Sequence, residues 1–239
     1  MTSRATLFVA PEAADRAFRR AANGLPENRA PTFHSMLLLD PKTDLSAWSI
    51  GEEVEAITRV ADAGSTWDLV GYSGGAAICL AFAAANLGRV GSLTLIEPPW
   101  IGNDPWSVEQ VAFAAAFDRL IWKEDHACHV GFFDLFAPGT APPALNDTAA
   151  LERIIKAVRT VWRGYSGTPL DRDALTQFRG PVLLPFGDRS APRMAKQAQF
   201  LSKMFSNADI LEIAGAHHFN ILTVGARAIA EGIEELRRR

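Results

Sequence analysis

The chain has 239 residues, of which 48% are hydrophobic, and its formal net charge is −3. This composition is ample for a sizeable core and argues against a chain that is disordered throughout. Because the charge is small and no long run of like charge occurs, nothing electrostatic favours binding to nucleic acid or to anionic lipid. We therefore expect neither nucleic acid nor a membrane as a partner.

The cysteines and the first residues bear on where the protein works. Cys79 and Cys128 lie in stretches predicted to be buried or helical, and they do not suggest a disulfide framework. The apolar stretch 5–10 is too short for the core of a signal peptide, because Glu12 and Asp15 follow at once. No segment has the roughly 20 apolar residues needed to cross a bilayer. A cytoplasmic protein is expected.

Short apolar stretches alternate with helical patterns along most of the chain. The stretches predicted to be strands are residues 6–10, 35–39, 67–72, 92–96, 182–186 and 208–213. They are continuously apolar, which is typical of parallel strands covered on both faces. The predicted helices are residues 15–23, 50–63, 76–86, 192–205 and 225–238. The alternation favours an α/β fold with a mostly parallel, doubly wound sheet of about six strands.

Between the fourth and fifth predicted strands the alternation stops, and only helical patterns occur. One of them begins after Ser107, which makes a capping-box pattern with Gln110. We interpret residues 99–179 as a helical insertion, or cap, over the carboxyl ends of the strands. Residues 1–98 and 180–239 then form the core.

The predicted cap is rich in aromatic residues. Most of them would join cap to core, but some must face the gap between the two layers, so an apolar pocket is expected there. The candidates for contact with a small, largely apolar substrate are Tyr72, Trp100, Phe113, Phe117 and Phe219.

The segment GYSGG at residues 71–75 has the pattern G-x-S-x-G and lies between a predicted strand and a predicted helix. On such a sharp turn Ser73 would present its hydroxyl above the sheet, and the flanking glycines would allow close packing. A serine hydroxyl is a poor nucleophile near neutral pH, so it needs a base within hydrogen-bond reach. His217 and His218 follow the last predicted strand, where a loop would return to the serine.

These segments resemble the α/β-hydrolase superfamily over nearly the whole chain. Other matching segments are LTLIEP at residues 93–98, GDRS at 187–190 and GAHHF at 215–219. The resemblance implies a serine hydrolase in which His218 is the catalytic base and His217 replaces a glycine of the usual pattern. The implied reaction needs no cofactor, and no metal site is expected.

The acid that would orient the histidine remains open between two residues. In the commonest superfamily pattern it stands three residues after the glycine that ends the fifth strand, where this chain has Ser190. Asp188 is nearby in the same loop. Glu97 directly follows the fourth predicted strand, from which some members of the superfamily supply the acid. Both keep the order serine, acid, histidine, and we favour Glu97.

An oxyanion hole needs preorganised NH donors. The sequence predicts the backbone NH of Gly74 as one of them, because this residue directly follows Ser73. The other should come from the turn after the first strand, where the superfamily usually has His-Gly and this chain has Val9-Ala10. Pro11 falls at the donor position and has no NH. Either Glu12 or Ala10 donates from a shifted turn, or the hole is incomplete.

Three functions compete on these grounds. The leading hypothesis is a serine hydrolase that cleaves an ester, thioester or related acyl bond through an acyl-enzyme on Ser73. The same fold also serves carbon-carbon hydrolases, lyases and cofactor-free oxygenation catalysts. The third is a non-catalytic relative that binds a small ligand, which the missing His-Gly pair favours and the intact GYSGG segment opposes. The sequence leaves the substrate and the oligomeric state open.

Overall fold

The computed structural model describes residues 4–11, 19, 31–40, 42–61, 65–144 and 147–239. One six-stranded sheet has the order β2-β1-β3-β4-β5-β6, and all its pairings are parallel. The strands are β1 (Ala5–Ala10), β2 (Thr32–Ser35), β3 (Trp67–Tyr72), β4 (Val90–Ile96), β5 (Val182–Gly187) and β6 (Ala208–Ile213).

Nine helices are described with this sheet. They are α1 (Ile50–Val60), α2 (Gly74–Ala85), α3 (Val108–Leu120), α4 (Asp125–Phe136), α5 (Thr148–Gly167), α6 (Arg172–Thr176), α7 (Arg193–Met204), α8 (Ile221–Val224) and α9 (Ala226–Arg238). None of these described helices combines the length and the apolar character of a membrane span.

Two buried clusters explain why the strands are continuously apolar. Leu7 and Leu69 belong to the cluster that includes α1, α2 and α7, whereas Phe8 and Val70 belong to the cluster that includes α8 and α9. Because successive side chains of a strand point to opposite faces, a sheet covered on both sides favours apolar residues at consecutive positions. The predicted doubly wound parallel sheet is confirmed.

The second strand was predicted in the wrong place, at residues 35–39. It ends at Ser35, which pairs with Ala10, the last residue of β1. The Met36 NH makes the last hydrogen bond to β1, donating to the Ala10 carbonyl oxygen (3.0 Å), and Leu37–Leu39 then form a 3₁₀ turn. In this turn the Leu38 NH donates to the buried Glu53 carboxylate (3.1 Å). The predicted helix at residues 15–23 lies, except for Arg19, outside the described residues.

Helices α3 to α6 lie between β4 and β5 in the chain, within the segment predicted as a cap. The Ser107 hydroxyl accepts from the Gln110 NH at the start of α3, as the sequence pattern indicates (3.1 Å). Aromatic rings join α3 to α5: the Phe117 ring stacks on Trp162 with centroids 4.3 Å apart. The division into a core and a cap at residues 99–179 remains a prediction.

Candidate active site

Ser73 occupies the sharp turn between β3 and α2, with φ 51° and ψ −125°. Among the described residues other than glycine, only Ser73 and Glu97 have a positive φ. Such strained backbone is concentrated at functional sites, where the surrounding structure holds it. Gly75, two residues after Ser73, has no room for a side chain, because a Cβ there would lie 2.0 Å from the Val9 carbonyl oxygen.

His218 lies directly beside the serine. Its Nε2 is 3.0 Å from the Ser73 Oγ, and its ring is almost completely buried. The Tyr72 hydroxyl donates to the His218 carbonyl oxygen (2.6 Å) and so ties the histidine loop to the end of β3. Ser73 and His218 are 145 residues apart in sequence, and the sheet brings them together because β3 and β6 end at the same edge.

Glu97 completes a continuous hydrogen-bonded arrangement. Its Oε2 lies 2.7 Å from the Nδ1 of His218, and its Oε1 accepts from the Gly187 NH at 2.8 Å. Since the carboxylate can only accept, Nδ1 carries the proton in this pair. Nε2 is then free to accept the proton of the Ser73 hydroxyl, which is the tautomer that a general base needs.

The other two candidates on this side lie elsewhere. Asp188 is exposed, and its Oδ1 accepts from the Gly215 NH (2.8 Å), so it stabilises the turn rather than the histidine. The His217 NH donates to Asn220 at 2.7 Å. Burial, and then the neighbouring His218, lower the pKa of His217. The structure thus brings Glu97, and not Asp188, to His218.

Gly74 and Pro11, both predicted to lie at the oxyanion hole, follow β3 and β1 in the chain. Gly74 is the first residue of α2, directly after Ser73. Pro11 follows β1 and has no NH to offer, and Glu12 lies outside the described residues. Two side chains cover Gly74 instead: a Cβ there would lie 2.8 Å from Met36 Cε and 3.2 Å from the Tyr165 hydroxyl oxygen.

The five aromatic substrate candidates divide between a cavity and the packed interior. Trp100 and Phe113 line a cavity of about 200 Å³. Phe117 is buried against Trp162, Phe219 stacks on Phe133 at 3.9 Å, and Tyr72 bonds to the His218 loop. The principal side chains around the cavity are Trp100, Trp106, Phe113, Trp162, Tyr165 and Arg193.

Arg193 could not be selected from sequence, because a single arginine at the start of a predicted helix is an ordinary surface residue. Its guanidinium lies 3.4 Å from the centroid of the Phe113 ring, and it donates to Gln197 at 2.9 Å. Within the described residues its Nε and Nη2 have no partner. Burial lowers the pKa of Arg193 to about 9, although the Glu97 charge acts in the opposite direction.

Tyr165 was also missed. It is a buried residue of α5 in the predicted cap, and its ring stacks on Trp100 with centroids 5.4 Å apart and an interplanar angle of 4°. Its position over Gly74 depends on how α5 packs against the Leu37–Leu39 turn, for which the local sequence has no signal.

No family model matches the chain, and no curated protein matches it in sequence. Solved structures do match. MenH from S. aureus superposes with a TM-score of 0.70 at 13% identity, covering 100% of this chain and 96% of its own. A hydrolase from Oleispira antarctica gives 0.64 at 12% identity, covering 100% and 93%. A haloalkane dehalogenase loop variant from Bradyrhizobium elkanii gives 0.66 at 14% identity, covering 99% and 91%.

These identities are too low to carry an activity from one protein to another, but the superpositions extend over essentially the whole length of both partners. The all-parallel six-stranded sheet, covered on both faces, agrees with them. This chain has the α/β-hydrolase fold.

Proposed function

We propose that the chain is a serine hydrolase that cleaves an ester, thioester or related acyl bond of a small, largely apolar substrate. The observation that carries the proposal is the unbroken hydrogen-bonded series from Ser73 through His218 to Glu97, with distances of 3.0 Å and 2.7 Å. Each distance is short enough for a direct hydrogen bond. This is the geometry that activates a serine hydroxyl near neutral pH.

In the proposed reaction the Ser73 Oγ attacks the acyl carbon while His218 Nε2 takes the hydroxyl proton. Glu97 stabilises the imidazolium without taking its proton. The carbonyl oxygen becomes an oxyanion and accepts a hydrogen bond from the Gly74 NH. Collapse of this intermediate expels the leaving group, which receives the proton from His218. Water, deprotonated by the same nitrogen, then attacks the acyl-enzyme, and His218 returns the proton to the Ser73 Oγ as the acyl–oxygen bond breaks and the acid is released.

The proposal extends to residues 99–179 as a cap over this site. Two contacts support that role: the Phe136 ring of α4 lies 4.7 Å from the His218 ring, and Tyr165 of α5 lies over Gly74. The cavity of about 200 Å³ is lined mainly by residues of this segment. Its aromatic walls suit a small apolar group.

The structural neighbours favour the hydrolytic class as a whole. They include a hydrolase and a haloalkane dehalogenase. They support hydrolysis in general, whereas the serine mechanism depends on the arrangement of Ser73, His218 and Glu97 in this chain.

One observation favours a second candidate, a non-catalytic relative that binds a small ligand. Pro11 leaves the oxyanion hole without its usual second backbone donor. A scaffold that only binds would not need that donor, because no negative charge develops in it.

A fluorophosphonate probe separates the two candidates. We expect it to label the wild-type protein and not the Ser73→Ala variant, because only an activated hydroxyl attacks phosphorus. Ser202→Ala is the matched control and should be labelled like the wild type, since the Ser202 hydroxyl bonds only within its own helix. If the wild type is not labelled at Ser73, the hydrolase proposal fails and the binding candidate takes its place.

A further inference from the structure

The hydroxyl of Tyr165 lies beside Gly74, whose backbone NH is the first donor predicted for the oxyanion hole. It is 3.2 Å from the point that a Cβ of Gly74 would occupy. That point is two bonds from the Gly74 nitrogen, so the hydroxyl oxygen is at most about 6 Å from this nitrogen. Two hydrogen bonds of about 2.8 Å each span nearly the same distance, so one substrate oxygen can accept from both donors.

Tyr165 is available for such a bond. The residue is 2% exposed, and its hydroxyl has no hydrogen-bond partner among the residues that the structure describes. Buried hydroxyls are nearly always paired, and an unpaired one calls for an explanation such as a catalytic role. A ligand oxygen above Gly74 would supply the missing partner.

The surroundings keep this hydroxyl in place and protonated. Trp100 stacks on the ring in nearly parallel planes, which restricts its movement. Burial raises the pKa of Tyr165, and the charge of Glu53 acts in the same direction. The group therefore donates a hydrogen bond over the whole neutral range and does not become a phenolate.

We propose that the Tyr165 hydroxyl is the second donor of the oxyanion hole, in place of the backbone NH that Pro11 lacks. This inference rests on the proposed serine hydrolase. In the tetrahedral intermediate the oxyanion accepts hydrogen bonds from the Gly74 NH and from the Tyr165 hydroxyl. Tyr165 keeps its proton throughout, so the proton balance of the reaction remains between Ser73, His218 and the leaving group.

The role has a clear chemical logic. Pro11 removes a donor at the end of β1, and a residue of α5, 154 positions later in the numbering, brings one to the same oxygen. Gly74 permits this, since a side chain at that position would press against both Tyr165 and Met36. An oxyanion hole shared between Gly74 and α5 is complete only when α5 is packed against the Leu37–Leu39 turn.

Tyr165→Phe tests the proposal, because it removes only the hydroxyl and keeps the ring that stacks on Trp100. With p-nitrophenyl butyrate we expect kcat to fall about 10²-fold or more, the usual effect of losing one oxyanion donor, while KM changes less than about threefold. Thr168→Val is the matched control. It removes a hydroxyl directly after α5 that bonds only to the Gly164 carbonyl oxygen (2.7 Å), and it should leave kcat unchanged.

Ligand affinity separates a catalytic role from a structural one. Butaneboronic acid forms a tetrahedral adduct with the serine, so its affinity should fall with kcat/KM in Tyr165→Phe, whereas the affinity for the product butyrate should change little. Equal losses for both ligands, or an unchanged kcat in a folded variant, would overturn the role of Tyr165 and leave the hydrolase standing. Absence of Ser73-dependent turnover in the wild type would overturn both.

Discussion

The two sides of Ser73 are built in different ways. The acid–base side consists of His218, Glu97 and Gly187, and each of its polar groups has a partner. The side proposed to hold the oxyanion consists of Gly74, Pro11 and Tyr165; Pro11 lacks an NH, and the Tyr165 hydroxyl lacks a hydrogen-bond partner among the described residues. The first side comes from the loops after β4, β5 and β6, whereas the second combines the turns after β1 and β3 with helix α5.

This difference shows which parts of a site a sheet can position by itself. Parallel strands end at one edge, so the residues directly after β4, β5 and β6 meet there whatever the rest of the chain does. A side chain on α5 reaches the same serine only through helix packing. The acid–base side is therefore held by the sheet, whereas the position of Tyr165 depends on the packing of helix α5.

The largest expected effect is the loss of kcat when the acid–base side alone is changed. Glu97→Gln should lower kcat by about 10⁴-fold, because a neutral amide no longer fixes the His218 tautomer or stabilises the imidazolium. Asp188→Asn should change kcat less than about twofold, since Asp188 bonds only to the turn at Gly215. Steady-state kinetics of the two purified variants measure this contrast. Similar effects in both would contradict the assignment of Glu97.

The next effect concerns the turn where the two sides meet. Gly75→Ala should lower the free energy of unfolding by about 3 kcal/mol, because its Cβ would overlap the Val9 carbonyl oxygen, a backbone atom. Gly167→Ala is the control, since nothing lies within 4 Å of a Cβ there. Urea unfolding measures both. A Gly75→Ala variant as stable as the control would show that β1 and α2 are not tightly packed.

The smallest expected effect is on the free energy of unfolding, when a tyrosine on each side of Ser73 is replaced by phenylalanine. Tyr72→Phe removes a buried hydrogen bond to the His218 carbonyl oxygen (2.6 Å) and should lower the free energy of unfolding by about 1 kcal/mol. Tyr165→Phe removes a hydroxyl with no partner in the described residues and should leave that free energy unchanged or slightly higher. Thermal and urea unfolding of the two variants give the comparison. A larger loss for Tyr165→Phe would mean that its hydroxyl is structurally paired.

Much of the fold could be predicted because strands that are buried on both faces have a recognisable sequence pattern, a short run of apolar residues. Continuously apolar stretches located five of the six strands closely, and the alternation with helices predicted the parallel sheet. The second strand was misplaced by about three residues because an apolar 3₁₀ turn, Leu37–Leu39, has the same composition as a strand. Only the pairing with β1, which ends at Ala10, decides where β2 ends.

In the candidate site, too, some residues could be predicted from sequence and others could not. Ser73 and His218 were selected from motifs tied to the ends of strands, and both lie where those motifs indicate. Glu97 and Asp188 could not be separated with certainty from sequence, because each follows a strand of the same sheet. The choice depends on which carboxylate reaches His218, which is a distance of 2.7 Å for Glu97.

The sequence by itself determined the frame: a parallel sheet, a serine on the turn after its third strand and a histidine after its last. These follow from local rules of burial, turn geometry and strand ends. Only the tertiary structure decided the partners, because Glu97, Arg193 and Tyr165 reach the site from separate elements. A hydrogen bond acts over about 3 Å, and no local pattern in a chain specifies a contact at that distance between residues so far apart.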